Sequence, residues 1–162
     1  MAIKLEKAQE TDAQQLLKMQ HAAFLPLLEK YRDFDTSPAV EPLDKMEARI
    51  AEPDGGVYKI LADGELAGAI RIRRKEGDRF WIGPLFIAPC LQGGGFAQAA
   101  LRAAEELYPE AASWHLGTLL EEAGNCHLYE KMGYARNGRQ EKLNSRATLV
   151  HYEKLAAKEG RL

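Results

Sequence analysis

The stretch Leu85-Phe86-Ile87-Ala88-Pro89-Cys90-Leu91-Gln92-Gly93-Gly94-Gly95-Phe96-Ala97-Gln98 decides how this chain folds. It reads as an apolar strand, a glycine turn and the opening of an alanine-rich helix. Three adjacent glycines leave their backbone N–H groups uncovered, and the helix N-terminus behind them adds partial positive charge. Together these make a seat for a phosphate or pyrophosphate. A Walker loop would need Gly-Lys-Ser/Thr, but Gly95 is followed by Phe96-Ala97. A dinucleotide fingerprint would need a third glycine where Gln98 stands, and an acidic residue about twenty positions on. Nucleoside triphosphates and nicotinamide dinucleotides are therefore disfavoured.

Upstream, Gly83-Pro84 interrupts the strand between Phe80-Trp81-Ile82 and Leu85-Phe86-Ile87. Proline cannot donate to a sheet ladder, so Pro84 predicts an edge or a bulge. A bulge would splay the strand from its neighbour and leave backbone groups of Leu85 to Ile87 free. An extended, amide-bearing ligand could pair with them as a surrogate strand. Coenzyme A, a pyrophosphate carrying an arm with two amides, has that character.

Working outward, the remainder reads as one α/β domain over 1–162, with its core over about 2–154. Ala2 to Ala8 alternates like a strand. Thr11-Asp12 caps a helix carrying Leu16, Leu17, Met19, Ala23, Phe24 and Leu27. Tyr31 to Pro42 has no period and reads as a loop, and Leu43 to Ala51 as a short helix. Asp63-Gly64 marks a hairpin between Val57–Leu61 and Leu66–Ile72. Strands are expected at Arg79–Ala88, Ser113–Leu119, Tyr134–Leu143 and Thr148–Tyr152, and helices at Phe96–Tyr108 and Asn125–Met132. The net charge of −2 argues against a general nucleic-acid binder. The basic run Arg71 to Lys75, broken by Ile72, reads as the exposed face of a strand. The two cysteines, Cys90 and Cys126, have no metal spacing, and His127 beside Cys126 reads as packing. No metal is expected. The N-terminus has no apolar signal core and no run is long enough to span a bilayer, so a soluble cytoplasmic protein without membrane partners is expected. Exposed sheet edges and the apolar last strand, Thr148-Leu149-Val150, suit a homodimer.

Two motifs in order resemble the GNAT (GCN5-related) N-acetyltransferases. Gln92-Gly93-Gly94-Gly95-Phe96-Ala97 is similar to that family's Q/R-x-x-G-x-G/A motif, and Leu85 to Pro89 to the strand ending in V-x-P before it. Leu128-Tyr129-Glu130-Lys131-Met132-Gly133-Tyr134 resembles its L-Y-E-K-x-G-F/Y signature. The resemblance covers nearly the whole chain. It implies a mixed, mostly antiparallel sheet of six to seven strands, flanked by about four helices and splayed at the cofactor strand. It also implies transfer of an acetyl group from acetyl-CoA to a primary amine of a small molecule or peptide. A non-catalytic acyl-CoA-binding module is the alternative, and retention of Tyr129 favours the enzyme.

Carried over residue by residue, the resemblance assigns the pantetheine arm to the backbone of Leu85, Phe86 and Ile87. The pyrophosphate falls to the turn amides of Gly93, Gly94, Gly95, Phe96, Ala97 and Gln98, with Gln92 opening the turn. Backbone near Phe86 or Ile87 would polarise the acetyl carbonyl. Tyr129 corresponds to the general acid that protonates the leaving sulfur. His115, Glu121 and Glu122 are the candidate bases, His115 because its ordinary pKa lies in the useful range; a water chain could also serve. The family's asparagine seven positions before the tyrosine is Glu122 here. Asn125 is either its equivalent, one helical turn closer, or the cap of the short helix. The loop from Tyr31 to Pro42, with Glu29, Asp33, Asp35 and Glu41, is the expected wall of the acceptor site, its acidity suited to a cationic amine.

Overall fold

The computed structural model describes residues 2–156. Seven strands form one sheet: β1 (Ile3–Lys7), β2 (Gly55–Ala62), β3 (Glu65–Lys75), β4 (Arg79–Ile87), β5 (Ser113–Leu119), β6 (Ala135–Lys142) and β7 (Thr148–Leu155). The helices are α1 (Ala13–Tyr31), α2 (Leu43–Ile50), α3 (Phe96–Leu107) and α4 (Ala123–Lys131). The sheet order is β1-β2-β3-β4-β5-β7-β6. All pairs are antiparallel except β4–β5. That parallel pair is joined by a crossover through α3, as a parallel connection requires.

Strand alternation divides the core between the two faces. Ile70, Ile72, Phe80, Ile82, Trp114 and Leu116 point to one face, where Ala100, Leu101 and Ala104 of α3 and Cys126 of α4 cover them. Val57, Ala69 and Phe86 point to the other, beneath Leu16 of α1 and Met46 and Ile50 of α2. The small Ala100 and Ala104 on the α3 stripe let that helix lie close to the sheet, and both are fully buried.

Sequence expectation and structure agree on the elements to within a few residues, and differ in three ways. The apolar last strand, expected to suit a dimer, lies inside the sheet: β7 is flanked by β5 and β6, and β1 and β6 form the edges. The basic run on β3 is not a solvated face, because Arg71 and Arg73 are half-buried on the side facing α1 and α2. His127 is exposed, while Cys126 is buried as expected. No helix among the described residues is long and apolar enough to cross a membrane.

Candidate active site

The β4–β5 pairing stops early. Arg79 to Ile82 pair with Ser113 to Leu116, and nothing beyond Ile82 pairs with β5. On its other side β4 stays with β3, but the register shifts between Ile70 and Ile72, where Gly83 and the cis-linked Pro84 are taken up as a bulge. β4 therefore follows β3 away from β5, which continues along β7. A V-shaped opening results, and Leu85, Phe86 and Ile87 border it with the edge away from β3 lacking a strand partner. Gly68 permits the departure: a Cβ there would lie 2.0 Å from the Phe86 carbonyl oxygen.

The glycine turn closes one end of this opening. Gly93 and Gly95 have φ of 85° and 82°, the left-handed region where glycine is at home, and a Cβ at either would point into open space. Gly95 is the N-cap of α3, and no side chain caps the helix. The first-turn amides of Phe96, Ala97 and Gln98 thus keep their donors for an anion. The Phe96 ring packs against the core and crowds Gly94, where a Cβ would meet it at 2.8 Å. Gln92 Nε2 donates to the Ile87 carbonyl at 3.1 Å, tying the turn to the end of β4.

Two cavities meet at the opening. One, of about 580 Å³, runs from the glycine turn along Leu85, Phe86 and Ile87 beneath α1. Its uncovered amides and positive-φ glycines fit a pyrophosphate with an extended amide arm. The second, of about 490 Å³, lies between α1, residues 33–41 and the sheet. Leu85, Glu122, Asn125 and Tyr129 border both.

Tyr129 reaches this junction from α4. Its ring is set between Tyr134 and Tyr152, with centroids 6.1 and 6.2 Å away, and its hydroxyl has no hydrogen-bond partner among the described residues. Burial, with Cys126 beside it, pushes the phenol up to about 12. Asn125 lies inside α4 rather than capping it; Glu122 is the N-cap residue. The Glu122 carboxylate accepts from Tyr31 Oη at 2.6 Å and Lys30 Nζ at 3.1 Å through Oε2.

The other candidate bases lie elsewhere. His115 stands opposite Trp81, in the part of β5 still paired with β4. It is buried, stacked on Trp81 at 4.9 Å and hydrogen-bonded through Nε2 to Ser113 Oγ at 2.7 Å. Burial lowers its pKa. It borders neither cavity, so the structure does not bring it together with Tyr129. Glu121 points away, accepting from the Thr148 amide at 2.8 Å.

Residues 33–41 do wall the second cavity, through Asp33, Ser37 and Glu41 among others. Their acidity is partly neutralised within the protein. Glu41 accepts from Arg49 at 2.7 and 3.1 Å, pairs with Lys45 at 3.2 Å and accepts from Gln20 at 2.9 Å. Arg71 and Arg73 on the opposite wall were missed by sequence reading. Their only signal was their position on β3, two residues apart and on the same face as Ala69.

A search of curated protein sequences finds no match. Solved structures do match. A protein provisionally described as a phosphinothricin N-acetyltransferase is 17% identical, covers 97% of this chain and 100% of its own, with a TM-score of 0.77. The ribosomal-protein-S18-alanine N-acetyltransferase of Escherichia coli is 14% identical over 99% and 97% of the two chains, TM-score 0.74. The PaiA N-acetyltransferase of Thermoplasma acidophilum, solved with coenzyme A, is 15% identical over 96% and 99%, TM-score 0.73. At these identities the likeness is one of fold. The sequence profile of the Acetyltransferase (GNAT) family matches residues 21–134, from within α1 to the end of the Tyr129 signature. That match spans well over half of the chain, and the chain belongs to the GNAT acetyltransferase family.

Proposed function

We propose that the protein is an acetyl-CoA-dependent N-acetyltransferase acting on a primary amine. The observation that carries this is the meeting of two cavities at Tyr129: one is shaped for a pyrophosphate and an amide arm, the other opens to solvent beside it. A fold relative solved with coenzyme A supports the same cofactor. Acetyl-CoA supplies an acyl group activated as a thioester. The turn amides of Gly93 to Gln98 hold the pyrophosphate, and the free edge of Leu85 to Ile87 holds the arm. An N–H on that edge polarises the acetyl carbonyl. The acceptor nitrogen forms its bond to the carbonyl carbon as the carbon–sulfur bond breaks. Tyr129, protonated at any physiological pH, donates toward the departing sulfur. The proton lost by the amine passes to Glu122, the candidate base that borders the junction, or to water beside it.

The test is thiol release from acetyl-CoA across a panel of amines, beside a thermal shift with acetyl-CoA alone. Stabilisation together with turnover of at least one amine is expected. Stabilisation without turnover of any amine would leave a binding module, and no stabilisation would remove the cofactor reading as well.

A further inference from the structure

The acceptor cavity has two walls of opposite electrical character. Three arginines stand on one. Arg49 is neutralised by Glu41 at 2.7 Å, and Arg71 by Glu52 through two contacts of 2.8 and 3.1 Å. Arg73, two residues beyond Arg71 on the same face of β3, is half-buried and borders the cavity. No carboxylate pairs with it among the described residues. A guanidinium that gives up part of its water without gaining a partner is held at a cost. The facing wall carries Asp33, Glu141 and Glu122, whose Oε2 is shared with Tyr31 and Lys30. One carboxylate oxygen of Asp33 is buried and takes no hydrogen bond.

We infer that the acceptor is an amine that also carries an oxyanion, as an amino acid does. Arg73 seats the oxyanion, and Asp33 and Glu122 draw the ammonium toward the acetyl group. This rests on the acetyltransferase reading of the site and names its substrate class. The spacing agrees. Leu85, at the opening, pairs with Ile70, and Arg73 lies three residues further along β3. At the rise of a strand that is roughly 10 Å, a gap that a small amino acid and an arginine side chain bridge together. A guanidinium offers a fork of donors matched to a carboxylate. A polyamine would instead meet Arg73 with like charge.

The test measures binding, so it does not depend on turnover. The whole protein, saturated with coenzyme A, is titrated calorimetrically with the L-amino acids. Each binder is compared with its carboxamide and its aminophosphonate, and spermidine is added as an anion-free amine. At least one amino acid or aminophosphonate is expected to bind tenfold or more tightly than the matched carboxamide, and the preferred anion names the group. Arg73→Gln should remove that preference while leaving coenzyme A affinity unchanged and the unfolding midpoint no lower. The inference fails if carboxamides or spermidine bind as tightly as the acids, if no anionic amine binds, or if Arg73→Gln weakens acid and carboxamide alike. Thiol release with the same amines, measured in separate samples supplied with acetyl-CoA, keeps the two readings apart. Binding of an acid without turnover counts against the transferase, and turnover of anion-free amines counts against the zwitterion.

Discussion

Tyr129 combines a free hydroxyl with a half-buried ring that borders both cavities, and this determines how it can act. A phenol raised to about 12 is a weak acid, so it remains a hydrogen-bond donor across the working pH range. Replacing it with phenylalanine keeps the ring between Tyr134 and Tyr152 and removes only the donor. Tyr129→Phe should therefore lower kcat by roughly 10²-fold, the lower end for loss of a general acid, with KM for acetyl-CoA little changed. The alkaline side of the profile tests the environment. Wild-type kcat should hold level through pH 10, whereas a phenol titrating at its ordinary value would begin to cost activity there. An unchanged kcat in the phenylalanine variant would remove Tyr129 from the chemistry. At this scale the sequence was informative where chemistry is local. The glycine turn and the Tyr129 signature are contiguous runs whose geometry follows from their own residues. His115 is the contrary case. Its fitness as a base depended on whether β5 had left β4 by position 115, and strand pairing between segments as far apart as Trp81 and His115 is not written in the neighbours of one histidine.

Among the elements, β4 bears the function, and its shape depends on β3. The Pro84 bulge was legible because proline in a sheet is confined to edges, strand starts and bulges. The partner requirement was not, since Gly68 sits in a run that otherwise reads as an ordinary hairpin strand. A Cβ at position 68 would meet the Phe86 carbonyl at 2.0 Å and the Ile87 Cα at 3.0 Å, both backbone atoms that no rotamer change can move. Gly68→Ala must push the end of β4 toward the opening that the cofactor needs. The expected cost is about 1–3 kcal/mol of stability, as for other overpacked sites, together with at least a tenfold loss in coenzyme A affinity. Urea unfolding and calorimetry measure the two separately. Retention of full affinity would mean that β4 does not need Gly68 to hold its course. The placement of β7 inside the sheet was likewise beyond sequence reading, because strand order is set by pairing between distant segments while apolar content looks the same inside a sheet as at a buried edge.

For the molecule as a whole, the buried aromatic and imidazole groups bound the range of pH in which the fold is stable. Burial raises the phenols of Tyr108, Tyr129, Tyr134 and Tyr152. Tyr108 and Tyr152 also hydrogen-bond to Tyr58 and Glu130, respectively. Above the ordinary phenol value of about 10, the unfolded chain loses these protons while the folded chain keeps them. The unfolded state then binds fewer protons, so stability falls as pH rises from there through the folded values. Four phenols acting together should make that fall steep. At the acid end the sign reverses: burial lowers His115 and His151, so below the ordinary histidine value of about 6.5 the unfolded chain gains protons that the folded chain refuses. Stability should decline there as pH decreases. The urea midpoint is thus expected to be broadly level from about pH 7 to about pH 10, with a shallow acid shoulder and a sharp alkaline edge. Absorbance at the tyrosinate band should rise together with the loss of far-ultraviolet dichroism at that edge. If most of the phenols ionised near pH 10 with the dichroism intact, the tyrosine cluster around Tyr129 would have to be open to water, and the alkaline limit would be lost.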